Sequence, residues 1–224
     1  MDLYDIMRTT FSPREFSDEP ISNSTIFKIL DNSRFAPSGG NRQGWHVIII
    51  RDIKAKKALA DLAVPAAKRY AAQIIAGENP WNTVESTVVD PETIENTHPP
   101  NILTKTYLNA PVVLVVCVDL KLVASVDQYL ERIGIVSGAS IYPFVWNILL
   151  AARYEGYGGT ITTLPISQEP KVQALLNIPN DFAVCAILPL GKPAKRLTKL
   201  RRKPVSSFAT LEKWDGEPLT DKSD

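Results

Sequence analysis

Ala36-Pro37-Ser38-Gly39-Gly40-Asn41-Arg42-Gln43-Gly44-Trp45, followed by the apolar run Val47-Ile48-Ile49-Ile50, places a polar, glycine-rich turn directly before a strand. Two adjacent glycines let the backbone approach a flat ligand closely and adopt conformations that other residues resist. Pro37 stiffens the entry, and Ser38, Asn41 and Gln43 supply short donors and acceptors. Taken alone, the stretch serves equally well as a helix-to-strand connector, so its meaning depends on the rest of the chain.

Outward from that turn the pattern alternates helix and strand. Ser22 is placed to cap a helix carrying Ile26, Phe27, Ile29 and Leu30 on one face. Trp45 to Arg51 reads as a strand and Lys54 to Ala63 as a helix. Pro65 is expected to interrupt that helix before the pattern resumes through Ala66 to Ile75. The run Val112-Val113-Leu114-Val115-Val116-Cys117-Val118 is apolar at every position, as in a strand covered on both faces. Ile133 to Arg153 reads as a long helix, apolar nearly all round and closed by Gly156. Gln168 to Leu176 reads as a short helix and Phe182 to Leu190 as another fully apolar strand. The fold class expected is a helix-rich α+β or α/β domain without repeats.

Composition narrows the function. A chain of 224 residues can bury one sizeable core, and 45% hydrophobic with 22% charged residues is ordinary for a globular protein. A net charge of +1 implies no global attraction to nucleic acid or membrane, and no apolar run reaches the roughly 20 residues of a membrane-spanning helix. Met1-Asp2-Leu3-Tyr4-Asp5 lacks the basic start of a signal peptide. Cys117 and Cys185 sit in strand-like runs and read as buried, reduced thiols, which points to the cytoplasm. The two histidines, His46 and His98, form no pair with metal-ligand spacing, and no Ser-His-Asp or Cys-His arrangement can be built, so no metal site is expected. Lys192, Lys195, Arg196, Lys199, Arg201, Arg202 and Lys203 form a basic run without an intervening acid. No stacking aromatics are interleaved with it, so nucleic-acid binding is not expected.

Four segments carry a family resemblance. Arg8-Thr9-Thr10 with Arg14-Glu15-Phe16 resembles the N-terminal arginine motif of the FMN-dependent nitroreductase superfamily, with Phe11-Ser12-Pro13 adding about two residues to the usual spacing. The turn from Pro37 to Trp45 resembles the second motif, Gly156-Tyr157-Gly158-Gly159 through Thr162-Thr163-Leu164-Pro165 the third, and Leu200-Arg201-Arg202-Lys203-Pro204 the last. The motifs stand in the family's order and span 1–208. The resemblance implies a single FMN-binding domain over 1–208, with a variable lid at 76–105 and a C-terminal tail at 209–224. It also implies a central mixed sheet flanked by helices, and an intertwined homodimer. The helix from Ile133 to Arg153 would sit at the heart of the interface, and a C-terminal arm anchored by Trp214 would lie over the partner.

By the same resemblance, Arg8, Thr9, Thr10 and Arg202 would hold the FMN phosphate, which needs cations and donors in fixed geometry. Arg14 would place positive charge beside the ring. Pro37, Ser38, Gly39, Asn41 and Gln43 would meet the ring edge, and Thr162, Thr163 and Leu164 would neighbour N5, through the Leu164 backbone above all. Gly40 and Trp81 are the candidates for substrate contact. A plain surface ion pair with Glu15 or Asp18 is the structural alternative for the arginines. Hydride chemistry belongs to the flavin, so no protein acid, base or nucleophile is required.

The third motif most resembles the iodotyrosine deiodinase branch, in which a threonine hydroxyl precedes the proline. Here that position is Leu164. The deiodinase lid also carries a Glu, Tyr and Lys that grip a zwitterion. Residues 65–105 show no equivalent, Lys68-Arg69-Tyr70 being in the wrong order. The expected activity is therefore hydride transfer from NADH or NADPH, by a ping-pong mechanism, to a nitroaromatic, quinone or activated alkene. The absence of a Gly-x-Gly-x-x-Gly fingerprint agrees with transient nicotinamide binding. A reductive dehalogenase and a non-catalytic FMN-binding protein remain as alternatives.

Overall fold

The computed structural model describes residues 2–197 and 199–221; the last three residues of the expected tail, 222–224, lie outside them. The order is α1 (Leu3–Thr9), α2 (Asn23–Ser33), β1 (Trp45–Ile50), α3 (Ile53–Ile75), α4 (Pro91–Asn96), α5 (Asn101–Thr104), α6 (Thr106–Asn109), β2 (Val112–Asp119), α7 (Tyr142–Tyr154), β3 (Gly158–Gly159), α8 (Glu169–Leu176) and β4 (Phe182–Gly191). The strands form one sheet in the order β1-β2-β4-β3. Every pairing among the described residues is antiparallel, so the α+β class holds while the sheet is antiparallel where a mixed one was expected.

Both faces of the sheet are covered, which is why β2 carries no polar residue until Asp119. Val112, Leu114, Val116 and Val118 meet Ile26, Ile29, Val145 and Ile148 of α2 and α7 on one face. Val113, Val115 and Cys117 meet Leu59, Ala63, Tyr107 and Val172 of α3, α6 and α8 on the other. Each fully buried aliphatic side chain contributes about 1.5–3 kcal/mol. Val116 pairs with Ala186 and Cys117 with Val184, so β4 bulges at Cys185. The bulge turns Cys185 and Ala186 to the α7 face together.

Several local expectations hold. The Ser22 hydroxyl caps α2 by accepting from the Thr25 amide. Gly156, at φ +91°, ends α7: its amide reaches the Arg153 carbonyl (3.1 Å) and the Tyr157 amide the Ala152 carbonyl (2.8 Å). Both cysteines are free and buried; burial pushes the Cys117 thiol up to about 11 and the Cys185 thiol up to about 12.

Three expectations are corrected. Pro65 does not break α3, which runs unbroken over 23 residues. Pro65 and Asp61 are both exposed, so water can serve the carbonyl whose hydrogen bond is lost. The long helix begins at Tyr142, not Ile133. Ahead of it Val136–Ser140 forms a 3₁₀ turn, because Gly134, Ser137, Gly138 and Ser140 are poor helix formers and Pro143 suits a first turn. Finally, the lid at 76–105 is not a bare loop: α4 and α5 pack on α3, and the Glu78 carboxylate gathers donors from Gln73 (2.9 Å), Thr87 (2.7 Å) and the Val88 amide (2.8 Å).

Candidate active site

The first motif sits at the C-terminal end of α7. Arg8 closes α1, is exposed, lies 5.9 Å from the Tyr4 ring centroid, and has no carboxylate partner among the described residues. Neither Glu15 nor Asp18 pairs with Arg8 or Arg14. The hydroxyls of Thr9 and Thr10 donate to the carbonyls of Asp5 (2.6 Å) and Ile6 (2.7 Å), so their protons are committed to α1. Thr9 also accepts from Nε of Arg153 (3.2 Å), whose Nη1 is buried without an acceptor. The segment beyond the first motif is laced to the basic run: Phe16 bridges Pro193, the Ala194 amide donates to the Glu15 carbonyl (3.1 Å), and Lys192 pairs with Glu19. Arg14 and Lys195 line one shallow cavity of about 350 Å³. Arg202 is exposed; among the described residues it bonds the Arg201 carbonyl (2.7 Å) and no bond joins it to Arg8.

The second motif sits at the other end of α7, roughly 17 Å away at 1.5 Å per residue over Tyr142 to Arg153. Gly40, Asn41 and Gln43 all take left-handed conformations (φ +61°, +54° and +50°). Such a cluster is strained and persists only where surrounding bonds over-determine it. The Ser38 hydroxyl accepts the Gln43 amide (3.0 Å), and the Gln43 side chain donates to the Asn41 carbonyl (3.2 Å) and side chain (3.1 Å). Ser140 clamps the turn from below: its hydroxyl accepts from Gly39 (2.9 Å) and its carbonyl from the Trp45 indole (2.7 Å). Trp45 stacks on Phe144 at 4.6 Å. Pro37 and Gly39 are exposed beside it.

The third motif crosses from β3 to the 3₁₀ turn Leu164–Gln168. Thr162 bridges Ile187 through two backbone bonds (3.0 and 2.9 Å), and its hydroxyl shares a 2.9 Å hydrogen bond with Tyr107. Tyr107 is wholly buried, and burial holds its phenol well above the usual range, against smaller opposing pulls from the Thr162 hydrogen bond and then the Arg14 charge. Arg14, Tyr107 and Thr162 are thereby electrostatically connected. Thr163 and Leu164 line a cleft of about 530 Å³ together with Ala66, Tyr70, Pro80, Trp81, Ile166 and Ser167. The lid tryptophan and the third motif therefore share one cavity. Trp81, itself left-handed (φ +56°), is fixed by its amide on the buried Gln73 side chain (3.2 Å) and by the Arg69 guanidinium 4.3 Å from its ring centroid.

Thr163 also lines a second cavity of about 470 Å³ with Ile135, Tyr142 and Cys185, shaped by the loop ahead of α7. That loop is organised by the buried Asp127 carboxylate, which accepts from Arg132 (2.9 Å) and the amides of Ile135 (2.8 Å) and Val136 (3.2 Å). The Ile135 amide and Arg132 lower its pKa to about 2. Arg153, Arg69, Tyr107 and Asp127 were not picked out as site residues by sequence reasoning; Arg153 and Tyr107 find partners 144 and 55 positions away, and Arg69 and Asp127 find theirs on loops that fold back over them. Trp214, expected to anchor the tail, is 97% exposed. Among the described residues no helix is long and apolar enough to cross a membrane, and no cluster of three His, Cys, Asp or Glu residues could hold a metal.

Comparison with known proteins assigns the class. The model of the Nitroreductase family matches residues 7–192. A protein of Archaeoglobus fulgidus described as a candidate NADH dehydrogenase/NAD(P)H nitroreductase is 30% identical over 187 residues, covering 83% of this chain and 82% of that protein. An iodotyrosine deiodinase of Nematostella vectensis is 27% identical over 215 residues, covering 94% and 75%. A solved iodotyrosine deiodinase bound to FMN and 3-iodo-L-tyrosine has the same fold, with a TM-score of 0.65 at 22% identity over 91% of this chain and 96% of that one. The protein is an oxidoreductase. It belongs to the nitroreductase family.

Proposed function

We propose that this protein is a homodimeric FMN oxidoreductase that draws hydride from NADH or NADPH and reduces a small electron-poor acceptor by a ping-pong cycle. The observation that carries this reading is the cleft of about 530 Å³ in which Trp81 faces the Thr163–Leu164 turn.

The residues fit the cofactor. At the first motif an unpaired Arg8 stands near the buried, unpartnered Nη1 of Arg153, cationic donors of the kind a phosphate dianion requires. Arg202 would add to them from the C-terminal run. With the Thr9 and Thr10 hydroxyls committed to α1, these two residues would contribute shape and oxygen acceptors, leaving the guanidiniums to donate. Bound FMN supplies a ring that accepts hydride and passes on two electrons. Arg14, whose charge is felt at the Tyr107 phenol, would place positive charge near the ring. Ser38, Gly39, Asn41 and Gln43 would hold its polar edge, with Pro37 stiffening the entry. Thr162, Thr163 and the Leu164 backbone would border its reactive centre. Gly40 and Trp81 would contact the acceptor, and the apolar walls of the cleft would exclude water.

The dimer is supported by apolar surface. α7 buries Phe144, Val145, Ile148 and Leu149 but leaves Tyr142 and Trp146, one turn apart, exposed. Leu3, Tyr4 and Met7 of α1, which packs on α7, are exposed as well. Large clustered apolar patches mark association sites. The chain after Gly191 would lie over the partner as an arm, with Trp214 as its anchor. Two free buried thiols suit a reducing cytoplasm.

The test is an absorbance spectrum of the purified protein followed by anaerobic NADH or NADPH. Flavin bands near roughly 370 and 450 nm that bleach on addition support the reading. Bands that persist would leave an FMN-binding protein without this reductant, and an Arg8→Ala variant with unchanged flavin affinity would overturn the cofactor assignment. Reductive dehalogenation is a second reading, favoured by the 27% identity to an iodotyrosine deiodinase. Iodide release from 3-iodotyrosine by the chemically reduced protein would select it.

A further inference from the structure

We infer that Arg69 sets the charge preference of the cleft, so that the acceptor this protein takes is a planar aromatic anion, a benzoate-like carboxylate. The inference rests on the cleft being the acceptor site and adds what that acceptor must carry. Arg69 lies in α3 between Ala66 and Tyr70, two of the cleft's lining residues. Its guanidinium covers the Trp81 ring at 4.3 Å. No carboxylate pairs with it among the described residues, and its Nε is buried with no acceptor.

The neighbouring lysine differs: Lys68 is held by the Glu95 carbonyl (2.6 Å) and carboxylate (2.7 Å). Nor do the carboxylates of the lid serve Arg69. Glu78 is taken up by Gln73, Thr87 and Val88, and Asp90 caps α4 through Thr93. The polar residues lining the cleft are Tyr70, Thr163 and Ser167, and no acidic side chain lines it. A half-buried guanidinium without a counter-charge, stacked on an aromatic wall of a cavity free of acids, complements a flat ligand with a carboxylate at its rim. The ring would lie against Trp81 and the carboxylate would take the parallel donors of the guanidinium. Lysine, a point charge without that fork, serves less well.

The test compares benzoate with benzamide, two non-reducible ligands of the same shape, binding to the FMN-loaded protein by titration calorimetry at low salt. The same comparison is made for turnover of 4-nitrobenzoate and 4-nitrobenzamide. Benzoate is expected to bind at least tenfold more tightly, with the preference appearing in KM. It should shrink toward unity in Arg69→Gln and survive in part in Arg69→Lys. Equal binding of the two ligands by the native protein, or an unchanged ratio in Arg69→Gln, overturns the proposal. A parallel loss for both ligands would make Arg69 only a support for Trp81 and would overturn it too. Benzoate selectivity without reduction of either nitro compound would instead count against the reductase reading and leave this one standing.

Discussion

Nε of Arg153 donates to the Thr9 hydroxyl across 3.2 Å, joining residues 144 positions apart in the chain. The bond ties the last turn of α7 to the end of α1. It leaves Nη1 of the same guanidinium buried without an acceptor, and burial, with the like charge of Arg196 adding to it, lowers the arginine's pKa. A phosphate bound at the first motif would supply the acceptor that this cation lacks.

Arg153→Met is therefore expected to weaken FMN binding by about 10-fold or more, the effect of losing a charge-assisted hydrogen bond worth roughly 1.5–3 kcal/mol. Riboflavin, which lacks the phosphate, should bind the variant and the native protein alike. Fluorescence titration with both flavins reads the difference. Equal losses for the two would assign Arg153 to packing.

Trp146 and Tyr142 leave an apolar strip of α7 in solvent. Trp146→Glu should yield a monomer by sedimentation and, if the flavin site draws on both subunits, a loss of bound flavin with it. A variant that remains dimeric would move the interface elsewhere.

Asp127 controls the loop ahead of α7 by a charge. Its folded pKa, about 2, lies below that of a free aspartate, so its contribution to stability is full above about pH 4 and is lost as pH falls toward 2. Protection of the Ile135 and Val136 amides against hydrogen exchange, relative to their intrinsic rates, should fall in that window. Asp127→Asn should show low protection already at neutral pH and no further loss on acidification.

The thiols of Cys117 and Cys185, raised to about 11 and 12 by burial, are almost wholly protonated at neutral pH. A thiol reagent at pH 7.5 should titrate neither in the native protein and both after denaturation. Rapid native labelling would show that the sheet opens.

The elements legible in the chain were those set by neighbours in sequence. The Ser22 cap, the apolar β2 and β4 runs and the Gly156 stop depend on residues within a few positions, and each stands where its local pattern puts it. Pro65 misled because local chemistry says break, whereas packing of the alanine-rich face of α3 holds the helix through it. The stretch from Ile133 misled because its apolar content suggests a helix while its glycines and serines weaken one; Asp127 then binds it in another shape.

By itself the sequence determined the family, the sheet core, the buried thiols and the four motifs, because hydrophobic period, caps and motif spacing are written in adjacent residues. Only the tertiary structure decided which motif meets which partner. It brought Trp81 to Thr163 and Leu164, Tyr107 to Thr162, Arg153 to Thr9 and Ser140 to the Gly39 turn. Among the described residues it also left Nε of Arg69 and Nη1 of Arg153 buried without an acceptor. Those relations depend on how helices pack across a sheet, and a side chain's partner 55 or 144 residues away leaves no local signature.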